Sequence, residues 1–361
     1  MTKAWRVLAG VLAAGTFAGG SAALADDRPG RDGDRGDRQA RALAPTLVFT
    51  LDPATAALHG NPEGVAYDRR TRAFFVSRVG TGAIFRGTLG DPVVHPFIPG
   101  VSTTRSDAPL ATGLKVRRGR LYVAGATTGT IRVYDAAGGA LVRTIATRAA
   151  GDTAPTFVND LDVTGDGDIF ATDSFRPVIY RVDGDTGAVT TIDVSVRIPL
   201  VRNPDGSPAF NLNGIVARGD DELIVVQTAT SKLFRVDLDD EDGDRSAPDI
   251  DEIRLRGGTI NAGDGLLMDR GRLIVVQGSN PDVTNGANGT LTFIKLTRHR
   301  TRGTVVANRT DPTLAGPSTA VRARDRYLVA NANFAGPPDG PFTVSGLDRG
   351  SGGDRGRRGD G

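Results

Sequence analysis

Two acids, two amides and two hydroxyls recur along this chain at near-constant spacing, each leading the same short phrase. The phrases open as Pro62-Glu63-Gly64, Ala111-Thr112-Gly113, Val158-Asn159-Asp160, Leu212-Asn213-Gly214, Gly263-Asp264-Gly265 and Pro317-Ser318-Thr319, and each continues into an apolar run. The lead residues Glu63, Thr112, Asn159, Asn213, Asp264 and Ser318 stand 49, 47, 54, 51 and 54 positions apart. All six carry side-chain oxygen. If they converge, two carboxylates and two amide carbonyls form a hard, all-oxygen site suited to one Ca²⁺, with water completing the shell. Mg²⁺, Mn²⁺ or Zn²⁺ is within reach of such donors. Thiolate and imidazole sites are excluded, because the chain has no Cys and only the scattered His59, His95 and His299.

Convergence depends on the elements behind the heads. After each phrase come a turn and a second apolar run, such as Phe74-Phe75-Val76, Leu121-Tyr122-Val123 or Leu273-Ile274-Val275-Val276, and usually a third strand. A self-similar period near fifty with several short strands per unit is the signature of a β-propeller. Six copies predict an all-β, six-bladed propeller over residues 45–345, and nothing in the pattern calls for a helix. In such a fold the innermost strands line a central channel, so the six heads form a ring. Strand Thr46 to Leu51 precedes the first repeat with no blade of its own, while the last repeat has only Phe342 to Ser345 after its second strand. The N-terminal strand is therefore expected to complete blade six, which leaves no unpaired sheet edge at the seam.

The ends read differently. Residues 1–25 have a charged start (Lys3, Arg6), a short apolar core from Val7 to Phe17 and a small-residue cleavage site, Ala23-Leu24-Ala25. That is a secretory signal peptide and predicts a secreted protein. The run is too short and glycine-broken for a stable membrane span. Residues 26–44 and 346–361 are rich in Asp, Arg and Gly and read as a disordered linker and tail. Without the two signal cations the chain carries 42 basic and 42 acidic side chains. No global field argues for nucleic acid. A monomer is expected.

The heads also resemble those of a known family. The order Glu, Asn, Asn, Asp at successive blades is similar to the gluconolactonase, senescence marker protein (regucalcin) and luciferin-regenerating enzyme family. Pro62-Glu63-Gly64, Asn159-Asp160, Asn213-Gly214 and Asp264-Gly265 carry the likeness, over roughly residues 46–345. The resemblance implies that Glu63, Asn159, Asn213 and Asp264 bind the cation and that Asp264 is also the general base. The implied activity is hydrolysis of a small lactone or ester. Sugar lactonases of the family carry an Arg two residues before the first Asn; Phe157 stands there, within the more apolar lead-in Pro155-Thr156-Phe157-Val158. A less polar lactone or ester than a sugar acid's is therefore expected. Thr112, Phe157, Asp173, Arg176 and Ser318 are the candidate pocket residues, with Arg78 and Arg105 also within conceivable reach.

A reading from another class stands beside this one, a non-catalytic propeller that binds small molecules or proteins around a structural cation. Other signals carry less. The acidic run Asp237 to Asp244 imitates a calcium loop, but the alignment puts Leu238 at the first ligand and leaves no Glu at the twelfth position. A serine hydrolase lacks its Gly-x-Ser-x-Gly elbow.

Overall fold

Alternation along the second strand of each repeat sets the packing. In β3 (Ala73–Arg78), Phe74 and Val76 point to one neighbouring blade and Ala73 and Phe75 to the other. In β20 (Arg272–Gln277), Leu273 and Val275 face one side and Ile274 and Val276 the other. With period two and both faces apolar, a sheet must be sandwiched between two others. The result is six apolar clusters, one in each interface between adjacent blades.

The computed structural model describes residues 43–102, 104, 108–238, 248–278, 288–337 and 339–350. The expected signal peptide, nearly all of the linker, Arg105 and the body of the acidic run after Leu238 lie outside the described residues. Blade one is β2 (Pro62–Asp68), β3, β4 (Ile84–Thr88) and β5 (Val93–Ile98). Blade two is β6 (Leu114–Arg117), β7 (Arg120–Ala124), β8 (Thr130–Asp135) and β9 (Leu141–Ala146). Blade three is β10 (Val158–Val163), β11 (Ile169–Asp173), β12 (Val178–Val182) and β13 (Val189–Asp193). Blade four is β14 (Leu212–Arg218), β15 (Glu222–Gln227), β16 (Lys232–Asp237) and β17 (Asp249–Glu252). Blade five is β19 (Gly263–Asp269), β20, β21 (Thr290–Leu296) and β22 (Arg302–Arg309), with the short β18 (Arg254–Arg256) added in parallel to its outer edge.

Blade six consists of β23 (Pro317–Ala323), β24 (Arg326–Asn331), β25 (Thr343–Asp348) and, as expected, the N-terminal β1 (Leu47–Leu51). β1 pairs antiparallel with β25, Leu47 opposite Gly346 and Thr50 opposite Thr343. It also pairs in parallel with β5, Thr50 with Val93 and Leu51 with Val94. Blades six and one are thus a single eight-stranded sheet. The six-bladed all-β architecture read from the repeats is the observed one.

Two details differ from the sequence reading. A helix, α1 (Pro53–His59), follows β1; Asp52 caps it by accepting from Ala54 N at 3.0 Å, and Pro53 opens its first turn. The Asp-Pro pair was the legible signal. The last strand also runs to Asp348 rather than stopping at Ser345, because Gly346 pairs with Leu47 and Leu347 is fully buried against blade five.

Candidate metal centre

The first strands do not pair evenly. Register slips at the heads, between Pro62 and Val65, Val158 and Leu161, Leu212 and Ile215, and Gly263 and Leu266. A bulge of this kind re-aims a side chain out of the pleat, and here it turns Glu63, Asn159, Asn213 and Asp264 into one pocket at the mouth of the channel. The glycine after the head permits the close approach of neighbouring blades: a Cβ on Gly214 would overlap the Asp264 carbonyl oxygen and crowd Leu266 N.

Hydroxyl groups fix which amide atom faces inward. Ser174 Oγ donates its only proton to Leu212 O at 2.5 Å, so it can only accept from Asn159 Nδ2, at 2.8 Å. Thr228 Oγ1 donates to Gly263 O at 2.6 Å and accepts from Asn213 Nδ2 at 3.1 Å. Both amide oxygens are thereby left for the channel. Among the described residues, six buried side-chain oxygens lack a hydrogen-bond partner: Asn61 Oδ1, Glu63 Oε2, Asn159 Oδ1, Asn213 Oδ1, Glu222 Oε1 and Asp264 Oδ1. Glu222 is answered by ion pairs to Arg218 and Arg300. Four of the remaining five are the four heads. Buried polar atoms are nearly always paired, so four orphan oxygens facing one pocket require an explanation. A cation that takes oxygen ligands supplies one.

The electrostatics agree. Burial, with Asp160 nearby and an offsetting amide hydrogen from Asn213, pushes the Asp264 carboxyl up to about 8. Burial, then Asp264, then Asp160, raises Glu63 well above the usual carboxylate range. Asp160, beside Asn159, is pushed to about 7, mainly by burial. Among the described residues no three His, Cys, Asp or Glu cluster as metal ligands. Half of the four heads are amides, and it is their all-oxygen character that fits a hard cation.

The pocket encloses about 60 Å³, and its walls are largely apolar: Val79, Pro109, Phe157, Phe210, Ala262 and Phe334. Phe157, Phe175 and Phe210 stack in a triangle with ring centroids 5.1–5.5 Å apart. Among the described residues no Lys, Arg or His lines it.

Of the predicted pocket residues, Thr112 and Phe157 line the pocket, and three do not. Asp173 is fully buried beneath it, where its carboxylate accepts from Phe157 N (2.8 Å), Phe175 N (2.9 Å), Tyr180 OH (3.0 Å) and Thr156 Oγ1. It positions the aromatic wall. Arg176 grips the approach loop instead, through both oxygens of Asp152 (2.6 and 3.0 Å) and the Ala154 and Pro155 carbonyls. Ser318 Oγ donates to Glu63 O at 2.6 Å, holding the backbone of the first head. Arg78 is buried too, stacked 4.4 Å over Phe342, and donates to Ala56 O at 2.6 Å. Sequence reasoning missed Phe210 and Phe334, which lie in loops with no repeat signal. It also missed Ser174 and Thr228, although both follow their head at the same offset of 15 residues.

The architecture is shared widely. A gluconolactonase from Xanthomonas campestris is 18% identical, with 85% of this chain and 98% of that one aligned at a TM-score of 0.54. A luciferin-regenerating enzyme is 13% identical over 84% of this chain and 95% of its own, with a TM-score of 0.54. The major Malassezia sympodialis allergen Mala s 1 is 14% identical over 85% and 97%, with a TM-score of 0.59. No protein-family model matches the chain, and no curated protein matches its sequence. The resemblance read from the heads therefore holds at the level of the fold.

Proposed function

We propose that the protein is a metal-dependent hydrolase of a small, neutral lactone or ester with an apolar body. The observation that carries this reading is the set of four orphan oxygens, Glu63 Oε2, Asn159 Oδ1, Asn213 Oδ1 and Asp264 Oδ1, beneath an aromatic-walled opening. Fold likeness to a gluconolactonase supports it in kind. Those four side chains would hold the cation, which when bound supplies a Lewis acid for a carbonyl oxygen and lowers the pKa of water. Asp264 takes a proton from the attacking water at its carboxylate. The water oxygen bonds to the carbonyl carbon, the acyl C–O bond breaks, and Asp264 returns the proton to the departing alkoxide. Phe157, Phe210 and Phe334 hold the apolar body and exclude bulk water. With no Lys, Arg or His among the described lining residues, a substrate carboxylate would find no basic side chain to pair with on the pocket wall.

A second reading, a ligand-binding propeller with a structural cation, is favoured by the tightness of a space of about 60 Å³. Metal content and turnover of a lactone and ester panel, for wild type and Asp264→Ala side by side, separate the two. Bound metal with turnover lost in the variant supports the hydrolase. Bound metal without turnover on any member supports the binder, and absence of metal sinks both.

A further inference from the structure

The rim opposite the pocket carries a pattern of its own. Each blade shows there the turn between its first two strands. In blades five, six, one and two, consecutive around the ring, these turns read Asp269-Arg270-Gly271-Arg272, Arg322-Ala323-Arg324-Asp325-Arg326, Asp68-Arg69-Arg70-Thr71-Arg72 and Arg117-Arg118-Gly119-Arg120. In blades three and four they read Thr164-Gly165-Asp166-Gly167-Asp168 and Arg218-Gly219-Asp220-Asp221-Glu222. An arginine-rich composition alone would load all six turns alike. Here the charge is segregated into a basic arc of four blades and an acidic arc of two.

The backbone adds an independent observation. Each basic turn places an arginine in the left-handed region: Arg72 at φ 60°, Arg118 at 47°, Arg270 at 49° and Arg324 at 57°. The acidic turns have glycine alone at positive φ, Gly167 and Gly219, whereas two of the basic turns pair the arginine with a second positive-φ residue, Gly119 or Gly271. The tight hairpins call for positive φ, which glycine adopts without strain and asparagine with little, while arginine adopts it only at a cost. Strain of this kind collects where a side chain is needed for something outside the turn. Three of the local carboxylates are already engaged. Asp68 accepts from Arg70 N and Thr71 Oγ1 in its own turn, Asp269 is held by Arg349, Arg322 and Tyr327, and Asp135 pairs with Arg120. Arg69, Arg70, Arg72, Arg118, Arg272 and Arg324 make no ion pair among the described residues. Between blades one and two the arc deepens into a groove of about 910 Å³ lined by Arg69, Arg70, Arg117, Arg118 and Arg120. Within it the buried Arg117 Nε has no hydrogen-bond partner.

We propose that this arc binds a linear inorganic polyphosphate chain through its repeated phosphate groups. Guanidinium forks match phosphate in a bidentate geometry, and a curved row of them suits a chain better than a single ion. The surface lies at the far end of the channel from the metal centre, so it is independent of the hydrolase reading.

The test uses the full chain and long-chain inorganic polyphosphate, titrated at several NaCl concentrations. The variant carries Arg72→Gly, Arg118→Gly, Arg270→Gly and Arg324→Gly together. Each change removes a charge and relieves a strained turn, so the melting temperature should hold or rise while polyphosphate affinity falls at least roughly tenfold and its salt dependence becomes shallower. A second variant, Arg69→Ser with Arg70→Ser, leaves the left-handed positions alone and should weaken binding in the same direction. Turnover at the pocket should be unchanged in both. Equal affinity of wild type and the fourfold variant overturns the proposal. So does binding confined to a sulfated polysaccharide or to single-stranded DNA.

Discussion

Two rings of polar side chains lie close together near the pocket rim, and they are treated in opposite ways. The ends of the second strands carry Asp173, Gln227, Gln277 and Asn331, all at most 1% exposed. Each is answered. Asp173 accepts from four donors, while Gln227 donates to Pro199 O and Asn211 Oδ1 and accepts from Thr230 Oγ1. Gln277 bonds Asn261 N and Thr292 Oγ1; Asn331 reaches Thr313 O, Thr343 Oγ1, Ser345 Oγ and Ala315 N. One strand inward, the heads Glu63, Asn159, Asn213 and Asp264 each keep an oxygen without a partner. The outer ring ties rim loops to blades. The inner ring leaves four oxygens without a partner among the described residues, the feature on which the proposed cation site rests.

The contrast makes its strongest demand at Asp264. Asp264→Asn should lower kcat/KM on the best lactone or ester by about a thousandfold, yet leave the metal-free protein as stable as wild type or more so, since it removes a partly buried carboxyl whose pKa is raised to about 8. Steady-state kinetics and a thermal melt of the same preparation check both halves. A destabilised variant would place Asp264 in the structural ring instead.

Asp173→Ala is the mirror experiment. Orphaning its four buried donors should cost about 3 kcal/mol of stability, read as a lower urea midpoint at unchanged slope. Activity should fall only through the misplaced Phe157 wall, so KM should rise more than kcat drops.

Acidity probes the inner ring without mutation. The folded-state carboxyls of Asp264, at about 8, and Glu63 lie above their unfolded values. The folded, metal-free protein therefore binds protons more tightly than the unfolded chain, so this stability is fully present below the unfolded pKa and is lost as pH rises towards about 8. Added Ca²⁺ holds the same groups ionised, and the gap in melting temperature between calcium-loaded and metal-free protein should widen from pH 5 to pH 8. Calorimetry across that range decides it; a gap that narrows with pH would contradict the assignment.

The smallest effect concerns the hydroxyls that orient the amides. Ser174→Ala and Thr228→Val free Asn159 and Asn213 to rotate, and each should weaken cation affinity by roughly tenfold while costing the metal-free form only about 1 kcal/mol. Isothermal titration reads it directly.

Most of the ring was legible because it repeats. The heads declare themselves by a period near fifty, and the spare N-terminal strand by the short last repeat. What a repeat cannot convey is where a side chain turns once its strand ends. Asp173, Arg176 and Ser318 have the chemistry of pocket residues, but each finds backbone or ion-pair partners nearer than the pocket. Phe210 and Phe334 come from loops whose paths are set by tertiary contacts. The left-handed arginines were invisible for a related reason: turn chemistry predicts Gly or Asn at positive φ, and a sequence shows no strain.

The seam strand has one more consequence, for how the molecule can be displayed. β1 enters beside the end of β25, with Ala44 N bonded to Asp348 Oδ2 and Arg326 reaching Pro45 O. Residues 43 and 350 therefore both leave the fold on the arginine rim, with the ring between them and the pocket. A molecule fastened to a solid support by either end, or gripped there by an anionic polymer, would present its pocket outward to the solution. Fusion partners at either end should leave substrate entry open, whereas cargo inserted between Pro199 and Asn211 would stand at the door.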